Sequence, residues 1–307
     1  MDKIVLYGAG KRGKGIYNFF KKYNLENCIY GFCDEKVLGN IYDKKVHRYN
    51  QIEEDSFIFL ISVIDTKTRK DIENMLIKDN RKLIELEELF DLFGFENRVE
   101  LNRAFVSFYH EFHMNEYFMN ADESLDLFWN ESSVFKKMFD KLDCSNIIEL
   151  ACGKGRHVPM YIEKANEITL VDILKNNIDY CRERFENHNN IQYYCNNGYN
   201  LNALESESYT SLFSYDSMVH FEMMDIYTYL QDIHRVLVPG GKVLIHHSNN
   251  SSDYRLNFSN GIHGRSYMSK DIFAHLAYKA GFIIDEQLIL DWGGEEKLDC
   301  LSLLIKK

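Results

Sequence analysis

Asn146-Ile147-Ile148-Glu149-Leu150-Ala151-Cys152-Gly153-Lys154-Gly155-Arg156-His157 is the stretch that decides the fold. Its apolar first half predicts a buried strand, and its glycines predict a sharp turn that leads into a helix. Gly153 and Gly155 have no Cβ, so a ligand can approach the backbone closely there. The free amides at the start of the following helix favour a polar or anionic group. Glycine also serves tight turns for structural reasons alone, so this stretch needs support from elsewhere in the chain.

Three later stretches give that support. Ile168-Thr169-Leu170-Val171-Asp172 is an apolar run that ends in an acid, and an acid at the end of the second strand of a βαβ unit can accept both ribose hydroxyls. Asn196-Asn197-Gly198 follows a predicted strand at 191–194, and residues 236–245 contain a helix end, a Pro-Gly-Gly turn and another apolar strand. Together these stretches resemble the class I S-adenosylmethionine-dependent methyltransferases, from roughly residue 145 to the last residue.

The resemblance implies that S-adenosylmethionine is the methyl donor. It assigns Asp172 to the ribose hydroxyls, and Gly153 and Gly155 to the methionine part. Asn197 would flank the adenine, and a plain Asn-Gly turn is the alternative interpretation of that position. The full predicted donor-binding set is Glu149, Ala151, Gly153, Gly155, Asp172, Asn196, Asn197, Gly198, Ser214 and Asp216.

Three histidines follow two predicted strands of this region. His220 comes after the strand that begins at Ser211, and His246 and His247 come after the strand Lys242 to Ile245. Ligands of a doubly wound sheet bind at the carboxyl ends of its strands, so we predict His220, His246 and His247 as catalytic candidates. Imidazole is a base matched to neutral pH, although by alternation only one of an adjacent pair can face the site. An acceptor that is already anionic would instead need cations, for which the candidates are Arg156, His157, Arg255, Arg265 and Lys270.

The beginning of the chain contains a second glycine loop. A predicted strand at 3–7 leads into Gly8-Ala9-Gly10-Lys11-Arg12-Gly13, and a helix with a periodic apolar face follows. A second predicted strand ends at Asp34, which lies 21 positions after Gly13. A GxGxxG loop between strand and helix, with a distal acid, is the fingerprint of dinucleotide-binding units.

This first unit resembles the nucleotide-sugar-binding domain of sugar acyltransferases. The resemblance assigns Gly8, Gly10 and Gly13 to a phosphate loop and Asp34 to a ribose, with a nucleotide or nucleotide sugar as the ligand. One alternative is a domain that keeps the fold, binds no ligand and forms a homodimer. Another is an NAD(P)-dependent oxidoreductase that uses the same loop.

The chain of 307 residues is long enough for two domains. We predict an α/β fold with two Rossmann-like domains, of which the C-terminal one has a seven-stranded class I methyltransferase sheet. The predicted boundaries are 1–93 for the nucleotide-binding-type domain, 94–141 for a helical connector and lid, and 142–307 for the methyltransferase domain.

Composition and charge exclude several classes of protein. The net charge of −11 argues against nucleic-acid binding, which needs clustered Lys and Arg. No apolar run is long enough for membrane insertion, and Met1-Asp2-Lys3 leads directly into a strand rather than a signal peptide. Seven scattered cysteines without a CxxC pair favour reduced thiols in the cytoplasm. His110 and His113 have no cysteine nearby in the sequence and do not form an HExxH pattern, so no metal is predicted.

The sequence therefore predicts a cytoplasmic S-adenosylmethionine-dependent O-methyltransferase with a small-molecule substrate. The stretches 214–220 and 246–249 resemble methyltransferases encoded among bacterial polysaccharide-synthesis enzymes. This resemblance implies methylation of a sugar, or of a sugar-linked phosphate-type group, for a capsular or lipopolysaccharide surface polymer. The alternatives are a methyltransferase of another small molecule, the oxidoreductase, and a non-catalytic binding protein.

Overall fold

The computed structural model describes residues 3–114, 118 and 120–307. The chain forms two compact units. Unit 1 consists of Met1–His113 and Asn257–Gly264, and unit 2 consists of Met114–Leu256 and Arg265–Lys307. A short segment from late in the sequence therefore belongs to the first unit.

The described part of unit 1 contains one parallel sheet with an antiparallel edge strand. Its strands are β1 (Ile4–Tyr7), β2 (Ile29–Cys33), β3 (Asn40–Ile41), β4 (Lys44–His47), β5 (Ile58–Ile61) and β6 (Lys82–Leu83). Their order is β3-β4-β2-β1-β5-β6, and β3 pairs antiparallel with β4 while the other pairs are parallel. β1 is central and fully buried, as its unbroken apolar sequence predicts.

Helices cover both faces of this sheet. They are α1 (Lys11–Lys22), α2 (Thr66–Lys78), α3 (Phe90–Phe93) and α4 (Arg98–His113). Leu76 of α2 packs with the strand residues on one face. On α1, the ring of Phe19 lies 5.2 Å from that of Phe105 and 5.4 Å from that of Phe108, both on α4. Because α4 packs on α1, unit 1 extends to His113 rather than ending at the predicted boundary near Gly94.

Unit 2 contains a seven-stranded sheet. Its strands are β7 (Asn146–Leu150), β8 (Glu167–Asp172), β9 (Ile191–Cys195), β10 (Tyr209–Ser214), β11 (Leu237–Ser248), β12 (Phe282–Trp292) and β13 (Glu295–Lys306). The order is β12-β13-β11-β10-β7-β8-β9. β13 runs antiparallel to both of its neighbours, and the other pairs are parallel. This confirms the predicted α/β fold and its class I methyltransferase sheet.

Two apolar layers cover the sheet of unit 2. The helices involved are α5 (Leu125–Trp129), α6 (Val134–Phe139), α7 (Lys175–Arg184), α8 (Met223–Val236) and α9 (Lys270–Lys279). Residues of α5, α6 and α7 pack with Phe213 and Leu244, whereas residues of α8 and α9 pack with Leu212 and Val243. Neighbouring residues of one strand thus face opposite layers, as strand alternation requires. No helix among the described residues is both long and apolar enough to span a membrane.

Two local predictions in unit 2 are wrong. The α-helix predicted after the glycine turn is replaced by two 3₁₀ turns, Val158–Met160 and Ile162–Lys164. Few residues separate the glycine turn from β8, which leaves little room for a regular helix. His246 and His247 lie inside β11 rather than after it, because β13 extends the strand pairing to Ser248.

Candidate active site

The turn after β7 has the backbone conformation expected of a glycine loop. Gly153 and Gly155 have positive φ angles of 55° and 72°, and Ala151 has a φ of 58°. A Cβ at Gly155 would lie 2.6 Å from the ring of Phe185, so packing alone already requires glycine there. A Cβ at Gly153 would lie 3.2 Å from the ring of Phe118. The loop is therefore tightly constrained at both glycines.

Asp172 lies at the end of β8 and is hydrogen-bonded to this loop. Its Oδ2 accepts the N–H of Gly153 at 2.8 Å, and its Oδ1 accepts the N–H of Leu174 at 2.8 Å. Burial raises the pKa of Asp172 to about 6, against the hydrogen bonds that favour its charged form. A carboxylate oxygen has two lone pairs, so Asp172 can accept ligand hydroxyls as well.

Glu149 is a second buried acid next to the loop. It lies in β7 and accepts the hydroxyl of Tyr161 at 2.7 Å. Burial raises the pKa of Glu149 to about 8, although Tyr161 and Arg156 favour the charged form. Glu149 is therefore largely protonated at neutral pH.

The turn after β9 is held by its own asparagines. Asn197 is exposed, and its Oδ1 accepts the N–H groups of Tyr199 and Asn200 at 3.2 and 3.1 Å. Asn196 is buried, and its Nδ2 donates to the hydroxyl of Tyr229 at 2.7 Å. Gly198 follows with a φ of 88°. The Asn-Gly turn is thus formed, and contact of Asn197 with an adenine stays a prediction.

Polar side chains at the end of β10 and just after it are paired. Ser214 Oγ, at the end of the strand, lies 2.8 Å from Ser217 Oγ. Asp216 Oδ2 lies 3.3 Å from Nη2 of Arg156, which belongs to the glycine-turn segment. Asp216 also has a positive φ of 57°, a conformation that Asp tolerates better than most residues. Arg156 and Asp216 therefore compensate each other's charge.

His157 is buried between two hydrogen-bond donors. Trp129 Nε1 lies 3.0 Å from its Nδ1, and Arg156 Nε lies 3.1 Å from its Nε2. Both neighbours are donors, whereas a neutral imidazole has only one acceptor nitrogen. The ring can therefore accept a hydrogen bond from Trp129 or from Arg156, but not from both at once. Burial, together with Arg156, lowers the pKa of His157 well below its usual value. These surroundings disfavour His157 among the candidate cations.

His246 is part of a buried charge cluster. Its Nδ1 accepts the N–H of Asp216 at 3.1 Å, which places the proton of a neutral ring on Nε2. That nitrogen lies 3.1 Å from Asp299 Oδ2, and Arg265 Nη2 lies 2.5 Å from the same oxygen. Burial opposes ionisation, but Arg265 and His246 outweigh it and lower the pKa of Asp299 to about 2. His246 is therefore held by the hydrogen bond at Nδ1, and its Nε2 faces Asp299 without meeting hydrogen-bond geometry.

His247 faces the opposite layer. Its Nδ1 lies 2.8 Å from the carbonyl of Ser248, its Nε2 lies 2.8 Å from Ser302 Oγ, and its ring stacks on Phe273. Burial lowers the pKa of His247 to about 3. His220 is half-buried in the 3₁₀ turn Met218–His220, directly after β10, and its carbonyl accepts the hydroxyl of Ser266 at 3.0 Å. The three histidines thus lie in three different environments.

Residues 147–241 match a protein-family model described as a methyltransferase domain. Unit 2 contains a methyltransferase domain. The predicted enzyme class, an S-adenosylmethionine-dependent methyltransferase, is thereby confirmed. The matched range covers the glycine turn, Asp172, the asparagine turn and His220, and it ends in β11 before His246.

Several solved structures are similar to part of the chain. An S-adenosylmethionine-dependent methyltransferase from Mesorhizobium loti is 14% identical over 56% of this chain and 97% of its own, with a TM-score of 0.47. A SAM-dependent methyltransferase from Methanosarcina mazei is 13% identical over 56% and 98%, with a TM-score of 0.46. The PH0226 protein from Pyrococcus horikoshii is 19% identical over 63% and 92%, with a TM-score of 0.45. The search of curated proteins found no match.

The methyltransferase domain also contains residues that sequence reasoning misses. Asp299, which anchors Arg265 and His246, lies in the last strand and has no local motif. Tyr161 lies where a helix is predicted and instead places its hydroxyl on Glu149. Knowledge of the pairing between β13 and β11 would be needed to recognise Asp299 as a neighbour of His246, because this pairing places Asp299 opposite Ser248.

Outside the methyltransferase domain, unit 1 forms the second predicted glycine loop. A Cβ at Gly13 would lie 2.1 Å from the carbonyl oxygen of Gly8, and one at Gly8 would lie 2.7 Å from Ser62 Oγ. Close helix–strand packing therefore requires both glycines. Gly10 differs, because it is exposed and a Cβ there would meet nothing within 4 Å. Gly10 thus leaves open space at the start of α1.

Asp34 lies directly after β2 and is hydrogen-bonded to the loop. Its Oδ2 accepts the N–H of Ala9 at 2.9 Å, and its Oδ1 accepts those of Lys36 and Val37. Burial opposes ionisation, but these bonds outweigh it and lower the pKa of Asp34. Among the described residues of the whole chain, no group of three or more His, Cys, Asp or Glu could hold a metal ion.

Proposed function

We propose that this protein transfers a methyl group from S-adenosylmethionine to a sugar, or to a sugar-linked phosphate-type group, in the synthesis of a bacterial surface polysaccharide. The observation that carries the proposal is the presence of two glycine loops in one chain. One is tied to Asp172 in the methyltransferase domain, and the other leaves open space at Gly10 in unit 1. The glycine loop of the methyltransferase domain suits the methyl donor, and the glycine loop of unit 1 suits a nucleotide or nucleotide sugar.

The donor is proposed to lie at the carboxyl ends of β7, β8 and β9. Asp172 would accept the ribose hydroxyls, and the backbone around Gly153 and Gly155 would contact the methionine part. Glu149, Ala151, Ser214, Asp216 and the turn Asn196-Asn197-Gly198 complete the proposed donor set. A cytoplasmic location belongs to the same proposal, and the seven cysteines are free thiols.

The structure favours a hydroxyl acceptor over an anionic one in the methyltransferase domain. Arg156, Arg255 and Arg265 each lie within 3.3 Å of a carboxylate oxygen. An anionic acceptor would compete with those carboxylates, whereas a hydroxyl acceptor needs a base. Transfer then forms a bond between the acceptor oxygen and the methyl carbon, breaks the sulfur–methyl bond, and moves the hydroxyl proton to the base.

His220 is the proposed base. His246 and His247 are completely buried, and each has both ring nitrogens next to a polar partner. His220 is half-buried and follows β10, the strand next to β7. Its turn is held by Ser266, whose N–H donates to the carbonyl of Val219 at 3.1 Å.

Replacing Asp172 tests donor binding. Asp172→Ala should weaken S-adenosylmethionine binding by about 1–3 kcal/mol, because the ribose hydroxyls lose a buried acceptor. Asp179→Ala removes an exposed carboxylate of α7 that pairs with Lys175 and Arg182, and it should leave affinity unchanged. Calorimetry on both variants makes the comparison, and equal affinities in folded protein would disprove the assignment.

The acceptor is tested by transfer of a labelled methyl group. The full-length protein is incubated with labelled S-adenosylmethionine and a panel of nucleotide sugars, sugar phosphates and unrelated small hydroxyl compounds. Mass spectrometry of co-purified ligands identifies the natural compound independently. Transfer confined to the unrelated compounds would refute the sugar acceptor and leave the methyltransferase assignment intact.

A further inference from the structure

Three aromatic side chains of unit 2 lie close together at one edge of its sheet. Tyr215 directly follows β10, Trp292 ends β12, and Phe128 belongs to α5. β12 has the same direction as β11, because both pair antiparallel with β13. The last residue of β12 therefore lies at the carboxyl edge of the sheet, where doubly wound folds bind their ligands. We call Phe128, Tyr215 and Trp292 the aromatic rim.

The rings of the aromatic rim are neighbours that differ in exposure. The ring centres of Phe128 and Tyr215 are 5.1 Å apart, and that of Trp292 lies 6.4 Å from each of them. Phe128 and Trp292 are parallel within 2°, and Tyr215 is inclined to them by 66° and 68°. Tyr215 is buried, whereas Phe128 and Trp292 each keep part of their surface exposed. Two aromatic side chains thus present apolar surface at this edge.

The backbone next to Trp292 is irregular. Trp292 pairs with Glu295 across a Gly-Gly turn whose φ angles are 60° and 88°. The next pair joins Leu290 to Asp299, so three residues of β13 but only one of β12 lie between the two pairs. The Gly-Gly turn closes the hairpin without this bulge. Bulges increase the local twist, re-aim side chains and are frequent beside active sites, and this bulge shapes the end of the hairpin that carries Trp292.

Two arginines lie against the aromatic rim. The guanidinium carbon of Arg265 lies 5.3 Å from the ring centre of Trp292, and that of Arg156 lies 5.1 Å from the ring centre of Phe128. Both would repel a cationic ligand. Each guanidinium also lies within 3.3 Å of a carboxylate oxygen, with which an anionic ligand would have to compete. The charges around the aromatic rim therefore favour a neutral ligand.

We propose that the aromatic rim binds the neutral sugar ring of the methyl acceptor, with Trp292 as the main contact. The inference rests on the proposed function and names a binding site for its acceptor. A sugar ring has a face of C–H groups that can pack on an aromatic ring, and hydroxyls around its edge that need polar partners. Polar residues follow Tyr215 directly in the chain, namely Asp216 and Ser217, and the proposed base His220 ends the next turn.

Tryptophan fluorescence tests the contact directly. The chain has two tryptophans and Trp129 is buried, so an occupant of the aromatic rim should change the emission of Trp292. The full-length protein is first saturated with S-adenosylhomocysteine and then titrated with methyl glycosides of common hexoses, or with uridine. A methyl glycoside should give a saturable change in the wild type, and Trp292→Phe should lose that change while keeping the emission of Trp129. The same change in Trp292→Phe would overturn the proposal.

Kinetics separate acceptor binding from a structural role. Trp292→Leu should raise the KM for a methylated sugar by about 10- to 100-fold with little change in kcat, because the ring contact is made before and during transfer alike. Trp292→Phe keeps an aromatic face and should stay within a few-fold of the wild-type KM. Tyr278→Leu, at an aromatic residue of α9 that is 71% exposed, should leave KM unchanged. A lower melting temperature of Trp292→Leu together with an unchanged KM would show that Trp292 only packs on its neighbours, and would refute the site.

The outcomes distinguish this site from the proposed function. If sugars are methylated and neither Trp292 variant alters KM or emission, the sugar acceptor stands and the aromatic rim is refuted. If S-adenosylhomocysteine or uridine alone causes the emission change, the rim binds a nucleoside base and the sugar site is refuted. If an unrelated neutral ring compound is methylated through Trp292, the rim stands as the acceptor site and the sugar assignment falls. If no neutral compound is bound or methylated, both fall.

Discussion

Two buried carboxylic acids lie beside the glycine turn of the methyltransferase domain, and their hydrogen bonds distinguish them. Asp172 accepts bonds from two backbone N–H groups and from Asn177, all of which favour a charged carboxylate. Glu149 has the hydroxyl of Tyr161 as its bonding partner, and burial raises its pKa to about 8. A charged acid and a neutral acid at one loop can accept and donate, respectively, to a bound donor molecule. The sequence presents both as acids, and only their hydrogen-bond partners in the folded structure separate them.

Glu149 should make stability depend on pH. Its folded-state pKa is raised from 4.5 to about 8, so between these values the folded state keeps a proton that the unfolded state releases. The free energy of unfolding should therefore fall as pH rises through this window, by up to about 1.4 kcal/mol per pH unit. Glu149→Gln mimics the protonated acid, so it should match the wild type near pH 5 and be more stable than it above pH 8.

Urea unfolding at several pH values measures this difference. Glu163→Gln, at an exposed carboxylate, controls for the loss of a negative charge. A stability difference between wild type and Glu149→Gln that stays constant from pH 5 to 8.5 would contradict a buried proton on Glu149.

At the scale of elements, the sequence predicts strands better than the segments between them. The apolar runs at 147–150, 168–172 and 191–194 all lie in strands, because an uninterrupted apolar run has few alternatives in a parallel sheet. The segment after the glycine turn forms 3₁₀ turns, and the short distance to β8 leaves little room for a regular helix. The surroundings of His246 depend on Asp299, which lies far away in sequence. Local patterns could not predict that pairing.

Local sequence patterns and long-range strand pairing also contribute differently to the surroundings of the predicted histidines. Adjacent His246 and His247 alternate across β11, as predicted, but strand pairing with β13 buries both completely. His220 lies in a turn after its strand, where the main chain leaves the sheet. Position after the strand rather than within it therefore distinguishes His220 from the two completely buried histidines.

His220→Ala should lower turnover by about 10²- to 10⁴-fold and leave the affinity for S-adenosylmethionine nearly constant, because the side chain acts on the acceptor proton. Wild-type turnover should also fall on the acid side of its pH profile, and the variant should lose this dependence. His188→Ala, at an exposed histidine of the same unit, is the matched control. A mild defect with a flat wild-type profile would instead indicate an acceptor that is already anionic.

At the scale of the whole molecule, unit 1 is assembled from two distant parts of the chain. The ring of Phe258 lies 5.9 Å from that of Phe105 and 5.5 Å from that of Tyr109, and Asn257 Nδ2 donates to Glu87 at 2.9 Å. By its position in the chain alone, the loop after β11 would belong to the methyltransferase domain. Its apolar and amide residues give no local sign of their partners in unit 1. The two compact units therefore do not correspond to two contiguous ranges of the chain.

This architecture predicts that residues 1–93 do not fold into a stable domain alone. The fragment keeps α1 but lacks α4, so Phe19, which is 0% exposed, loses the rings of Phe105 and Phe108. Losing packed aromatic side chains costs about 3–5 kcal/mol each when they are truncated to alanine, and a whole domain has only about 5–15 kcal/mol of stability. A fragment of residues 1–113 restores α4 and should recover much of the lost stability. It still lacks Phe258.

Thermal unfolding followed by circular dichroism compares the two fragments with the full-length protein. In the full-length chain, Phe105→Ala should be strongly destabilising, whereas Phe112→Ala, on the same helix but 60% exposed, should change stability little. Adding a tethered copy of residues 257–264 to the 1–113 fragment should raise its melting temperature, because Phe258 again packs on Phe105 and Tyr109. A cooperative transition of the 1–93 fragment near that of the full-length protein would show that α4 and the late segment are dispensable for unit 1.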